Sequence, residues 1–478
     1  MRGVLGTVLD GDAEELMVPG PWGPLGRVRL AALAFSDLET HCLVIGGTGT
    51  GKTVTQLRLV AGQMAAQRAN PGEPPLRIIF IDAKGLGGED RDRFLALAQR
   101  HDYRRVVTWP EQPLAGLEGT KERVRERLSG LFDASESAFH HAEAVAMLDL
   151  ALGAGEVPRT LAEIVERVRP GVTRSLYAGL ATLDAPQREA EAASFTNQQW
   201  TSLYLRLRAL SATVGDRLDA KPDSWNLDGV DAAWLRLPGT SAPQTAGDIA
   251  SWILALVGEF AESNDGRPTL IVLDEFSAVA QDARASARAA GLVERIRSAR
   301  VAIVIGTQTV SSLGEHAERL LHTCGFVIAH RNPAPEPLAS LTGTVPVWED
   351  THEVDNLGMR TATSGRRQHQ FRVDPNLIRQ LPRGEAIVMF RGRYQHCAIT
   401  GMAAREMSEP DRMFRYDRKV RIASAYIGRI EDRELAAESQ EARWNSHHRR
   451  SAQLARRNKR TGIPRHSAPP RSRRFNRR

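Results

Sequence analysis

Residues 46–53 read GGTGTGKT and satisfy the phosphate-loop pattern G-x-x-x-x-G-K-[ST] at every fixed position. The run Cys42-Leu43-Val44-Ile45 before them is short, apolar and strand-like. After them Val54, Leu57, Ala61 and Met64 recur at three- and four-residue spacing, the period of a helix with one buried face. Strand, glycine loop and helix in that order form the opening unit of an α/β sheet. The residue types follow from the chemistry. Gly46, Gly47, Thr48, Gly49, Thr50 and Gly51 would close their backbone N–H groups around phosphate oxygens, and the helix N-terminus adds a favourable dipole. Lys52 would reach the terminal phosphates, and the Thr53 hydroxyl would hold Mg2+. Only six of the 64 Lys and Arg residues are lysines, so a Gly-Lys-Thr arising by accident is less expected than usual. The motif implies a nucleotide ligand.

The surrounding pattern agrees with such a sheet. Strands are expected at residues 77–81, 104–108, 232–237, 269–273, 301–305 and 324–329, with helices at 90–100, 245–261 and 283–300 between them. This alternation predicts a doubly wound, mostly parallel sheet covered on both faces. Ahead of the loop, residues 1–31 read as a small β lead-in, broken by Pro19-Gly20-Pro21. Residues 385–390 and 394–400 read as a hairpin at the edge of the fold.

Between about 116 and 226 strand-like runs disappear and helical periods take over, as in Leu161/Ile164/Val168 and Leu203/Leu207/Leu210. The expected organisation is a nucleotide domain at 1–115 and 227–405, interrupted by an all-helical domain at 116–226. A helical extension at 406–441 and a disordered Arg-rich tail at 442–478 complete it. The paired His140-His141 beside Glu143 has no further ligand at helical spacing and reads as a solvated pair.

Charge divides the chain unevenly. Residues 442–478 carry thirteen Arg or Lys and no Asp or Glu, so the remaining body is about −6 although the whole chain is +7. A tail of this composition cannot bury a core and should contact DNA phosphates without sequence preference, with a steep salt dependence. The apolar stretch 249–261 is too short to span a bilayer, and the first residues, MRGVLGTVLDGDAEE, lack the apolar core of a signal peptide. Cys42, Cys324 and Cys397 form no C-x-x-C pair. The expectation is a cytoplasmic protein with reduced, buried thiols.

Asp274-Glu275 closes the apolar strand Leu270-Ile271-Val272-Leu273, where a doubly wound sheet presents ligands. Asp274 would bind Mg2+ with Thr53, and Glu275 would orient or deprotonate an attacking water. The bland alternative is a helix N-cap with a dipole-favoured glutamate beside it. Gln308, in Thr307-Gln308-Thr309, follows another apolar strand and could hold the water or sense the terminal phosphate. Arg295, Arg297 and Arg300 crowd the helix upstream of it. At least one is a candidate transition-state arginine for a neighbouring subunit.

With these residues in place the sequence resembles the HerA–FtsK superfamily of ring-forming motor ATPases, and within it the TraD/TraG-type coupling proteins of conjugative and type IV secretion systems. The resemblance rests on GGTGTGKT at 46–53, IDAKG at 81–85, IVLDE at 271–275, IGTQT at 305–309, FVIAHRNPAP at 326–335 and VDPNLIRQLPRGEAIVMF at 373–390. It covers about residues 1–405. The resemblance implies a RecA-like P-loop NTPase fold, ATP and Mg2+ as cofactors, and a homo-hexameric ring with nucleotide between subunits. It also implies DNA as cargo, a membrane-embedded or relaxosome partner, and Arg297 as the trans-acting arginine with Arg331 as the fallback. Typical coupling proteins carry N-terminal transmembrane helices. None is expected here, which leaves membrane association to a partner protein.

Three functions remain open from sequence. The first is a DNA-translocating coupling ATPase. The second is a soluble FtsK/HerA-like motor for DNA processing or protein secretion. The third is a nucleotide-gated scaffold, which would have no need of a general base at Glu275.

Overall fold

The computed structural model describes residues 2–401, apart from 13–16, 24–25, 69–71, 73, 86–87, 130–137, 238–242, 264–265, 281, 355–359 and 400. The expected extension at 406–441 and tail at 442–478 lie outside the described residues.

The chain begins with β1 (Arg2–Gly11), β2 (Met17–Gly23), β3 (Gly26–Ala34) and a turn of helix, α1 (Phe35–Leu38). Then come β4 (Cys42–Ile45), α2 (Lys52–Arg68), β5 (Arg77–Asp82), α3 (Glu89–Arg100) and β6 (Val106–Trp109). Six helices follow: α4 (Lys121–Ser129), α5 (Ala138–Gly153), α6 (Leu161–Arg167), α7 (Val172–Ala178), α8 (Ala185–Ser194) and α9 (Asn197–Val214). The sheet resumes with β7 (Ala232–Arg236), α10 (Pro243–Ser263), β8 (Thr269–Asp274), α11 (Phe276–Ala280), α12 (Ala283–Arg295) and β9 (Val301–Thr307). The last elements are α13 (Ala317–Thr323), β10 (Phe326–Ala329), α14 (Glu336–Ser340), β11 (Thr344–Val354), β12 (Arg360–Phe371), α15 (Pro375–Gln380), β13 (Glu385–Phe390) and β14 (Arg393–Ile399).

Twelve strands make one sheet in the order β2-β3-β1-β14-β13-β10-β4-β9-β8-β5-β7-β6. From β10 to β6 all neighbours are parallel, and from β10 back to β2 all are antiparallel. The central parallel strands are predominantly apolar because both of their faces are covered. Their two-residue period feeds two cores. Leu43, Ile45, Ile79, Ile81, Ile271 and Ile303 point into the layer containing α10, α12 and the six helices after β6. Cys42, Val44, Ile78, Phe80, Val272 and Val304 point into the layer of α2 and α3, where Phe80 stacks on Trp234.

Residues between β6 and β7 contain no strand among those described, and their apolar side chains join the core beneath the sheet without a break. Arg127 of α4 clamps them to α10. Its guanidinium grips Glu259 at 2.5 and 2.7 Å and also donates to the Gly116 and Glu118 carbonyls.

Three local expectations are corrected. The hairpin β13–β14 is not at the edge: β1 pairs outside it, with Gly6 opposite Ile399. The lead-in is not broken at Pro19-Gly20-Pro21, because β2 runs through it with a register shift. β2 is the outermost strand, the position in a sheet where proline costs no ladder bond. Helix α2 is buried on more than one face, with Thr55, Gln56, Leu59 and Val60 as inaccessible as Leu57 and Ala61, while Val54 is half-buried. It packs on the central parallel strands and also against β1, from the antiparallel end of the same sheet. The long ribbon β11–β12 stands apart as a two-stranded sheet that no sequence signal had placed.

Candidate functional site: a phosphate loop facing paired strand ends

The loop at 46–53 connects β4 to α2 as its pattern requires. Gly51 adopts φ +116°, a conformation open to glycine and strained for other residues. The loop is anchored from behind. Gly46 N–H donates to the Thr307 carbonyl, Gly47 N–H to the Arg331 carbonyl at 2.9 Å, and the Thr50 hydroxyl to the Gly47 carbonyl. The first turn of α2, which begins at Lys52, has amides with no carbonyl partner within the helix, so the loop presents donors to an anion.

Parallel pairing then delivers the acids. The central strands β4, β9, β8 and β5 are adjacent, so their C-terminal ends form one rim. The Thr53 hydroxyl donates to Asp274 Oδ2 at 2.9 Å, joining residues 221 positions apart. Asp82, at the end of β5, is the register partner of Asp274. Burial pushes the Asp274 carboxyl up to about 6, with Asp82 and Glu275 adding to the rise and the Thr53 hydrogen bond opposing it. Burial raises Asp82 as well, against a hydrogen bond from the Lys84 amide. Lys52 is buried with its Nζ 3.4 Å from the Gly47 carbonyl. Desolvation lowers its pKa, and the carboxylates of Glu275 and Asp274 counter that shift. This rim gathers a buried lysine and the buried carboxyls of Asp82 and Asp274, all with shifted pKa values, an arrangement typical of functional sites.

Glu275 sits at φ +52°, a left-handed conformation that is costly for a non-glycine residue and that clusters at working sites. Its Oε1 accepts hydrogen bonds from the Gln308 carboxamide and from the Ser277 hydroxyl. The Gln308 backbone is in turn held by Asn332, whose amide donates to its carbonyl at 3.1 Å. Thus Lys52, Thr53, Asp274, Glu275 and Gln308, separated widely in sequence, are brought to one rim. Arg297 is not among them. Its backbone lies in a tight helical turn, Ile296–Ala299, before the other end of β9, and its side chain lies outside the described residues. Arg295 caps its own helix at the Gly291 carbonyl, and Arg300 reaches the Gly266 carbonyl at the same distant end. Arg331 is exposed directly behind the loop.

Four residues went unassigned in sequence: Asp82, Gln56, His330 and Asn332. For Gln56 a signal existed, since it lies three residues, about one helical turn, after Thr53. His330, fully buried, donates from Nδ1 to the Glu385 carbonyl at 2.9 Å, which leaves Nε2 to accept from the Thr55 hydroxyl at 2.8 Å. Burial lowers its pKa to about 4, the Glu385 carbonyl opposes this, and Lys52 reinforces it. Folded chains therefore keep His330 neutral where unfolded chains protonate it, near pH 6.5. The sign follows: its contribution is complete above that pH and is lost as pH falls towards 4, at up to about 1.4 kcal/mol per pH unit. Denaturant unfolding at pH 7, 6 and 5 should show a shallower loss of stability in His330→Gln than in the parent chain. Parallel slopes would show that the folded imidazole titrates normally.

The fold and this rim define a RecA-like P-loop protein with a mostly parallel sheet. Among solved structures, the chain is similar to the plasmid coupling protein TrwB in complex with ADP and Mg2+, at 16% identity over 86% of this chain and 98% of that one, TM-score 0.52. It is also similar to the unbound bacterial conjugative coupling protein TrwBdeltaN70 (15% identity, 82% and 91% covered, TM-score 0.51). VirB4 of Thermoanaerobacter pseudethanolicus is a third (16% identity, 85% and 98% covered, TM-score 0.54). No family model and no curated protein matches the chain. At these identities the likeness establishes the fold that the resemblance to coupling proteins implied. No helix among the described residues is long and apolar enough to cross a membrane.

Proposed function

We propose that this chain is a Mg2+-dependent ATP hydrolase working as a ring motor that moves DNA, in the manner of the conjugative coupling proteins whose fold it shares. The observation that carries the hydrolytic reading is the contact between the Thr53 hydroxyl and Asp274 Oδ2, with the Glu275–Gln308 pair beside it. Among the described residues no cluster of three or more His, Cys, Asp or Glu could hold a metal. Mg2+ does not need one, because it is commonly held by one or two protein oxygens together with substrate phosphates. A hydroxyl and a carboxylate oxygen 2.9 Å apart at the foot of a phosphate loop suit that mode. Thr53 and Asp274 would hold the ion, which supplies neutralisation of phosphate charge.

The protein groups divide the remaining work. The loop amides and Lys52 bind the β- and γ-phosphates. Gln308 and Ser277 both donate to Glu275 Oε1, which orients the carboxylate and leaves Oε2 to take a proton from water. That water forms the new P–O bond as the bond from γ-phosphorus to the β–γ bridging oxygen breaks, and ADP leaves. The TrwB complexes with ADP and Mg2+ and with an ATP analogue support these ligands for the shared fold. A homo-hexamer would let Arg297 serve a neighbour's nucleotide, and residues 116–226 would act as the inserted helical domain facing cargo or partner. A glutamate held in a left-handed conformation and pinned by two donors favours an enzyme over a nucleotide-gated scaffold. Purified protein should hydrolyse ATP in Mg2+, and DNA should stimulate it more than unfolded protein does. Assays with no addition, single strands, duplex and unfolded protein separate the cases. Stimulation by unfolded protein alone would replace DNA with a protein cargo.

A further inference from the structure

Gln56 is buried on α2, one helical turn beyond Thr53. Its carboxamide lies between Asp274 Oδ1 and the Gly306 amide. Only one orientation avoids setting acceptor against acceptor and donor against donor. With nitrogen towards the acid, Gln56 donates to Asp274 Oδ1 at 2.8 Å and its oxygen accepts from Gly306 N–H at 3.2 Å. Asp274 Oδ1 also accepts from the Glu275 amide at 2.9 Å. Two donors therefore occupy Oδ1, while Oδ2 faces Thr53. The fit is tight on the other side too. A Cβ on residue 306 would come within 2.1 Å of the carboxamide atom that faces it, the Gln56 oxygen in this orientation, and 2.9 Å of Asp274 Oδ1, so only glycine lets β9 approach.

From this geometry we infer that Gln56 is a positioning residue: its carboxamide holds Asp274 with Oδ1 turned inward and Oδ2 turned to the metal side, and it ties that carboxylate to β9, the strand that leads into Gln308. The role is specific to a neutral donor–acceptor of this length. A carboxylate buried among other acids keeps its rotamer only where donors fix it, and the groups that orient a metal-ligating carboxylate carry a large share of metal affinity. The two hydrogen bonds of the Gln56 carboxamide go to Asp274 and Gly306 rather than to the loop amides or the Lys52 ammonium, so nucleotide held without metal should not depend on it. The inference rests on the nucleotide–Mg2+ reading above, and its test must tell the two apart.

The test compares the equilibrium affinity for a fluorescent ADP in EDTA and in millimolar Mg2+. It uses the parent chain, Gln56→Met, which keeps the volume and loses both hydrogen bonds, and Gln56→Asn, which keeps an amide too short to bridge. Melting temperatures are taken alongside. The expected result is an EDTA affinity within about twofold of the parent and a gain on adding Mg2+ that is smaller by about tenfold or more. Variants that keep the full gain would reduce Gln56 to packing and overturn the inference. So would an equal loss of affinity with and without Mg2+ that tracks a lowered melting temperature. A parent chain that binds no nucleotide in either condition would instead overturn the reading on which the inference rests.

Discussion

Glu275→Gln should bind Mg2+-ATP about as tightly as the parent chain and hydrolyse it on the order of 10²–10⁴ times more slowly, the usual worth of a positioned general base. The substitution is nearly isosteric. The amide oxygen of the new side chain can still accept from the Gln308 carboxamide and the Ser277 hydroxyl, so the rim keeps its geometry. What is lost is a group that can take a proton. Binding survives because it rests on the loop amides, Lys52, Thr53 and Asp274, none of which depends on the Glu275 charge for its position. Lys52→Ala should show the complementary defect, loss of binding, because the cation on the β- and γ-phosphates is gone. Nucleotide titration with single-turnover phosphate release separates the two. Turnover at the parent rate in Glu275→Gln would remove the residue from the chemistry and return it to the bland reading, an acid favoured by a helix dipole.

What could be read from sequence was what is local. GGTGTGKT is a contiguous device, and the apolar runs ending in Asp274-Glu275 and Gln308 announce buried parallel strands whose C-terminal ends must meet. The neighbours that make the rim work were not legible, for a topological reason. Asp82 stands beside Asp274 only because β5 lies next to β8 in the sheet, and nothing near residue 82 encodes that order. His330 bonds Thr55 at the start of α2, and Asn332 bonds Gln308, across the β10–β4–β9 neighbourhood. The misplaced hairpin has the same origin. Residues 385–399 look like an edge when taken alone. Their outer side is closed by β1, from the opposite end of the described chain. The burial of α2 on two sides follows from that closure, since β1 covers a helix face that periodicity alone assigns to solvent.

Arg297→Ala should bind ATP and lose on the order of 10³–10⁵ in turnover if it acts as a trans-acting finger. The structure sharpens the experiment. Arg297 precedes β9 and Gln308 follows it, and the seven residues of that strand span about 23 Å. The Arg297 backbone therefore lies at the end of β9 away from the rim that carries the loop. In the proposed ring, any nucleotide it serves would belong to a neighbouring copy. Arg331 is the opposite case, lying behind the loop with its carbonyl bonded to Gly47 N–H at 2.9 Å. In the proposed ring the two candidates would therefore occupy different faces of a head-to-tail interface. Mixing Arg297→Ala with Glu275→Gln subunits creates some interfaces in which the Glu275 face and the Arg297 face are both intact, about a quarter under random assembly. Those should recover ATP hydrolysis. Mixing Arg331→Ala with Glu275→Gln should recover nothing if Arg331 works within its own subunit, because every interface then carries a lesion on the loop face. Full activity of Arg297→Ala by itself would remove that residue from the site. Recovery only in the Arg331→Ala mixture would make Arg331 the residue supplied in trans.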